Sequence, residues 1–256
     1  MLNVRNVSGA ISVEPSPDSA IRVQATTRWR RGDPATTVRF EALPEANAVT
    51  ICAIWENGRC SATDYTSGKS GKGVTISVNK ADVTADFTVQ VPAGMRVDAL
   101  TFNGAITVRA AGPVKAHTLN GSVKVGTAVG PVDAETINGD VDVRMTTMGA
   151  DPGPVRAVTK NGTVVAYVPN IVDGMIEAST LNGNVGSDFG GPIGDATGRS
   201  KSFKATLGTG SRQYVVTTLS GSAWLRQINA DGSVSPAAPV AGVTETGQAT
   251  KRPKAK

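Results

Sequence analysis

The sequence predicts an all-β protein, a single-stranded β-helix or β-solenoid with an N-terminal β section as its cap and a disordered C-terminal tail. Three observations predict it. One phrase is written three times within residues 97–144, as VDALTFNGAITV, VKAHTLNGSVKV and VDAETINGDVDV. On either side of its Asn-Gly corner apolar and polar residues alternate, the period of a strand and not of a helix. Asn-Gly itself is the strongest short signal for a tight turn, because both residues tolerate positive φ. The phrase then returns more loosely as VRAVTKNGTVVA, MIEASTLNGNVG and YVVTTLSGSAWL. A period of about 20 residues with strands and no helix is that of stacked coils.

Composition sets the build of those coils. Apolar residues make up 39% of the chain and aromatics only 4%, and there are 29 glycines, which suits a thin core of Val, Ile, Ala and Thr. Continuous repeats favour one elongated body over separate domains. Within it, residues 1–95 read as a cap section continuous with the stack, 96–228 as the solenoid and 229–256 as a disordered basic tail. No run of about 18 apolar residues is present, so no segment is expected to span a membrane. Of the net charge of +5, Lys251, Arg252, Lys254 and Lys256 supply four, leaving +5 − 4 = +1 for the body. A near-neutral body is not a phosphate-tracking surface, and no nucleic-acid partner is expected.

Taken in order, residues 1–14 carry the corner phrase with Ser in place of Asn (NVSGAISVE), which reads as a first coil edge pairing with something later. They read as strand, not leader, so the chain is either cytosolic or preceded by a leader upstream of Met1. Residues 20–27 alternate as a strand. RWRRGDPATT follows as a turn or exposed edge. Arg28, Arg30 and Arg31 around Trp29 are either charges that blunt an edge strand or an Arg–aromatic spot for a sugar or phosphate. Residues 38–43 and 49–55 are strands. Cys52 and Cys60 form a local disulfide if the protein is secreted and are idle thiols if it is cytosolic. A two-residue turn at Asn57-Gly58 would set Cys60 opposite Trp55, so a bridge needs a wider loop. Two cysteines and one distant histidine do not close a zinc shell, and no metal is expected. SATDYTSGKSGKG reads as a flexible loop. Residues 74–78 and 87–91 are strands, and Pro92-Ala93-Gly94 turns the chain into the repeats.

Inside the repeats, alternation points Val97/Ala99, Val114/Ala116, Val132/Ala134 and Val155/Ala157 inward, together with Ile106/Val108, Val123/Val125 and Val141/Val143. One outward column, Asp98, Lys115, Asp133, Arg156 and Glu177, alternates in sign. With coils ~4.8 Å apart it predicts a surface charge ladder. The corner column Asn103, Asn120, Asn138, Asn161 and Asn182 predicts an amide-to-amide ladder. A second column, Phe102, Leu119, Ile137, Leu181 and Leu219, is apolar where alternation would expose it, with Lys160 interrupting. Either the strand kinks and tucks these residues in, or they form a stripe for a partner. Residues 184–216 read as a loop-rich passage and one degenerate coil.

Chemistry is sparse. His117, the only histidine, falls on the outer face, where a catalytic triad would have to converge on a convex exterior. Asp133, Glu135, Asp140 and Asp142 gather on one coil in the manner of a sugar-cleaving acid pair, but their spacing is ordinary outward alternation. The GGPIGD run at residues 190–195 is a single, off-register match to the calcium turn of toxin β-rolls. No cofactor is expected, and the Asn-Gly-Ser and Asn-Gly-Thr sequons at Asn120 and Asn161 follow from the corner repeat.

The opening NVSGAISVE, the entry VPAGMRVDALTFNGAITV, the iterated T-x-N-G corners and the ending ATLGTGSRQYVVTTLSGSAWL together resemble the bacterial "putative adhesin" family over about residues 2–228. The resemblance implies an extracytoplasmic β-strand-repeat domain in the periplasm, at the cell surface or secreted, normally behind a signal peptide or lipid anchor. It carries no catalytic residues. The expectation is a non-enzymatic envelope or secreted solenoid presenting a repetitive surface to a protein, a polysaccharide or a surface. The alternatives are a self-associating scaffold and a β-helix enzyme acting on polysaccharide.

Overall fold

A computed structural model describes residues 1–55, 58–66, 82–109, 112–127, 130–147, 149, 151, 153–169, 173–189, 193–194, 200–229 and 231–234. The expected strand at 74–78, the second half of the Ser/Gly/Lys-rich loop, most of the GGPIGD run and the tail beyond Val234 lie outside them. The chain opens with β1 (Leu2–Arg5) and β2 (Ile11–Pro15), then β3 (Arg22–Arg31), a one-turn helix α1 (Pro34–Thr37), β4 (Val38–Glu45) and β5 (Ala48–Trp55). Two short strands, β6 (Arg59–Cys60) and β7 (Tyr65–Thr66), precede β8 (Asp82–Val91). Strands then come in pairs, one on each side of a corner. These are β9 (Val97–Leu100) and β10 (Ile106–Arg109), β11 (Val114–His117) and β12 (Val123–Thr127), and β13 (Val132–Asn138) and β14 (Val141–Met145). They continue as β15 (Val155–Asn161) and β16 (Val164–Pro169), then β17 (Gly174–Asn182) and β18 (Val185–Ser187). After β19 (Ile193–Gly194) and β20 (Lys201–Leu207) comes the last pair, β21 (Arg212–Ser220) and β22 (Ala223–Ile228).

The molecule is all-β, with two large and mostly parallel sheets. The first strand of each pair joins an eleven-stranded sheet in the order β19-β20-β17-β21-β15-β13-β11-β9-β1-β5-β4. The second joins a nine-stranded sheet in the order β18-β22-β16-β14-β12-β10-β2-β8-β3. Both sheets turn their Val, Ile and Ala positions onto one apolar core. Each inward residue expected from the alternation, from Val97 and Ala99 to Val141 and Val143, is buried.

Stacking order departs from chain order at both ends. The opening pair β1/β2 lies between β9/β10 and the outer strands β5 and β8. The closing pair β21/β22 lies between β15/β16 and β17/β18. The cause at the far end is β20, which doubles back antiparallel along one edge of β17 and leaves the slot beside β15 to the last strand. Antiparallel β3 and β4 cover β8 and β5 in the same way at the near end. Residues 28–31 therefore continue a strand, with an irregularity between Trp29 and Arg31, instead of forming a turn.

The corner phrase has a part for each residue. The buried threonine hydroxyl donates to the glycine carbonyl one repeat away. Thr118 reaches Gly104 O, Thr136 reaches Gly121 O and Thr159 reaches Gly139 O, each at 2.9 Å. Asparagine amides bond up the stack, Asn120 to Asn103 and Asn138 to Asn120 at 2.8 Å and Asn161 to Asn138 at 2.9 Å. Glycine is required where successive corners touch. At Gly139, with φ of 150°, a Cβ would sit 2.2 Å from Gly121 O. Asn182 stands apart from Asn161, because Ser220 of the inserted last repeat pairs with both.

Candidate functional site

The outer face of the eleven-stranded sheet gathers most of the outward residues singled out above. Backbone register puts Asn3, Asp98, Lys115, Asp133 and Arg156 in one row, with Val215 and then Glu177 beyond. Their charges do not pair as a simple vertical ladder. Asp98 is taken by Arg5 (Nη1 to Oδ1, 2.9 Å), and Asp133 by Arg156 at 2.9 Å. Arg156 also binds Glu135 at 2.7 Å, and His117 Nε2 lies 3.0 Å from Asp133 Oδ2. Glu177 meets Lys204 of β20 at 3.0 Å. Lys115 stands between two aspartates, yet among the described residues no salt bridge includes it. Both neighbours are engaged by arginines, whose guanidinium forks reach across columns.

These contacts shift the acids. Burial raises the Asp133 carboxyl, but the neighbouring His117 and then Arg156 outweigh it and hold the group down at about 2. Burial works against the Arg156 guanidinium, and Glu135 and Asp133 together still raise it. His117, Asp133 and Glu135 bring ligating atoms within 4.8 Å of one another, the kind of donor set that binds a divalent cation. The Arg156 guanidinium bonds both carboxylates, so one oxygen of each is already taken and one of their two negative charges is offset. Asp140 lies elsewhere, accepting from Thr163 N at the corner, and Asp142 pairs with Arg144 on the other sheet. The four acids that are close in sequence are thus divided between two faces.

Beside this row the chain builds a wall. Cys52 and Cys60 are bridged, with Cα atoms 6.2 Å apart. Gly58 N donates to Trp55 O at 3.0 Å, and among the described residues β6 pairs with β7 and not with β5. Arg5 Nη2 donates to Ala62 O at 2.7 Å, and the Tyr65 hydroxyl to Ala53 O at 2.5 Å. Burial pushes the Tyr65 phenol far above its ordinary range. The Tyr65 ring stacks on Phe102 with centroids 6.3 Å apart. Asn3, Thr50, Cys52 and Ile54 point outward from β1 and β5 and are nevertheless buried. Between this segment and the sheet lies a pocket of about 560 Å³, floored by Leu100, Phe102, Lys115 and His117 and walled by Thr63 and Asp64. A smaller apolar groove of about 250 Å³ continues from it past Asp98 and Lys115 along Pro113, Pro131 and Pro154.

The apolar corner column divides along the stack. Phe102 is buried against Tyr65, Leu119 and Ile137 are half-buried, and Leu181 and Leu219 are exposed. Trp29 is exposed on edge strand β3, where Arg28 pairs with Asp86.

Arg5 is a site residue that the alternation argument passed over. Laying LNVRNVSGAISV over VDALTFNGAITV puts Arg5 on Leu100, which is the observed pairing. The same overlay puts Asn6 on Thr101, and the Asn6 amide donates to Ala85 O in place of a threonine hydroxyl. Asp64 carries no comparable signal, because its place depends on the bridge.

No protein family and no curated protein matches the sequence. Among solved structures, a putative cell adhesion protein from Clostridium sporogenes is similar at 10% identity and a TM-score of 0.47, over 88% of this chain and 91% of that one. A putative adhesin from Bacteroides fragilis is similar at 11% identity and a TM-score of 0.35, over 89% and 91%.

Proposed function

We propose that this protein is a non-enzymatic β-solenoid of the cell envelope or secreted space, an adhesin that holds an extended polymer or surface along its eleven-stranded sheet. The observation that carries this reading is the outer face itself. In-register parallel pairing repeats the outward positions at one pitch, ~4.8 Å per strand, and the bridged 58–66 segment gives that face a wall. The family resemblance of the corner phrases supports the same reading. The disulfide supports a place outside the cytoplasm, where such bonds persist.

The test is binding of the purified protein to envelope preparations and to polysaccharides fixed on beads. Saturable retention with no release of reducing ends is the expected result. Release of sugar that disappears on Asp140→Ala or Asp142→Ala would replace the adhesin with an enzyme. A second reading, self-association into a scaffold, is favoured by one feature: Val23, Trp29 and Phe40 leave apolar surface exposed at the near end of the stack.

A further inference from the structure

We infer that the pocket under the 58–66 segment binds one pyranose unit of a polysaccharide, which names the ligand class for the adhesin reading and rests on it. A sugar ring offers two surfaces at once, hydroxyls that both donate and accept and a face of C–H groups that is apolar. The pocket supplies a counterpart to each. Lys115 and Asp64 line it from opposite sides, one on the sheet and one on the wall, and among the described residues neither takes part in a salt bridge. An ammonium that only donates and a carboxylate that only accepts are the complement of a diol. Thr63 adds a hydroxyl that does both. Leu100 and Phe102 form the apolar floor, and the volume of about 560 Å³ is that of a small-molecule site.

The pocket is also held in shape before a ligand arrives. The Cys52–Cys60 bridge, the Arg5 bond to Ala62 O and the Tyr65–Phe102 stack pin its wall from three directions. Its floor is fixed by parallel pairing of β1, β9 and β11. A preorganised site loses little entropy on binding. A bare inorganic anion is a poorer match, since Asp98 already holds Arg5 and Asp64 faces the same space as Lys115, so the lining carries no net excess of positive charge. The groove along Pro113, Pro131 and Pro154 shares Asp98 and Lys115 with the pocket, and gives the rest of a polymer chain a path away from the bound ring.

The experiment is a glycan array, followed by calorimetric titration of the strongest oligosaccharide into wild type, Asp64→Asn, Lys115→Met and, as an off-site control, Lys124→Met on the nine-stranded sheet. Thermal melts check that every variant is folded. Asp64→Asn and Lys115→Met are each expected to weaken binding roughly tenfold, about 1.4 kcal/mol, while Lys124→Met binds as wild type. Equal affinity across all four proteins overturns the pocket and leaves the adhesin standing. A blank array with retained binding to intact envelopes overturns the sugar and likewise spares the adhesin. A blank array with no envelope binding removes both.

Discussion

Asn138 shows how much one corner residue does. Its amide donates to Asn120 and its carbonyl oxygen accepts from Asn161, so it closes two rungs, while Asn161 donates one described rung. Both side chains are exposed, which keeps each bond near the low end of ~0.5–1.5 kcal/mol. Asn138→Ala is expected to cost about 1 kcal/mol in urea denaturation and Asn161→Ala about half of that. Gly139→Ala belongs to another class, because the added methyl meets the Gly121 carbonyl in a left-handed backbone. It is expected to cost about 3 kcal/mol or more. Equal losses for Asn138→Ala and Gly139→Ala would show that the corners do not stack this closely. Asp133 offers a test by pH. Its carboxyl ordinarily titrates at 3.8 and is held at about 2 in the fold. The lowered value means that its contribution is present above about 4 and is lost as the pH falls through about 2. The side chain is 39% exposed, so screening keeps the contribution small. The melting temperature of wild type should fall more steeply between those limits than that of Asp133→Asn, and parallel profiles would dismiss the ion pair as a stabilising contact. The Asn column and the inward valines were legible as sequence columns because each occupies a fixed offset from its corner. The threonine hydroxyls share that offset, yet alternation marks them only as inward residues, since their partner belongs to a different repeat.

Among the elements, the 58–66 segment depends most on one covalent bond. It contributes two strands of two residues each, too short to hold themselves. Closing so small a loop by a disulfide stabilises the fold by about 2–3 kcal/mol. Reduction, or the double change Cys52→Ser with Cys60→Ser, should lower the unfolding free energy by that amount, read as a lower urea midpoint at unchanged slope. It should also raise amide exchange at residues 59–66 well before the repeats respond. Uniform exchange across the whole chain would mean that the wall is not a separate unit. The sequence left the pairing of Cys52 and Cys60 open, and an Asn-Gly turn argued against a close approach. What decides it is the way β7 returns beside β6, with the Tyr65 hydroxyl anchored to Ala53 O of β5. The exchanged order of the end repeats was hidden for a related reason. NVSGAISVE and TTLSGSAW both carry Ser where the middle repeats carry Asn, which marks them as copies of the corner but says nothing of their place in the stack. That place is fixed by β3, β4 and β20, antiparallel strands with no corner phrase of their own.

At the scale of the whole molecule, a stack of parallel strands has two ends, and each is a template for another copy. Here the near end sets attraction against repulsion. Among the described residues no further strand covers the inward positions of β3 and β4, and Val23, Trp29 and Phe40 are exposed there. The rim of the same end carries Arg28, Arg30 and Arg31, and the strand is irregular where they cluster. Arg28 is neutralised by Asp86, and among the described residues no salt bridge takes up Arg30 or Arg31. Two copies meeting end to end through this face would bring those arginines together across a distance well inside the ~10 Å screening length of 0.1 M salt. The protein is therefore expected to be monomeric at low ionic strength. Arg30→Thr with Arg31→Thr should associate as concentration rises, and wild type should do so only in high salt, where the Debye length shrinks to ~3 Å. Sedimentation velocity over a concentration series at two salt levels reads all of this directly. A wild type that associates at low salt would assign the end to self-assembly and favour the scaffold over the adhesin. A double variant that stays monomeric everywhere would show that the arginines guard nothing, and that the apolar rim is too small to join two molecules unaided.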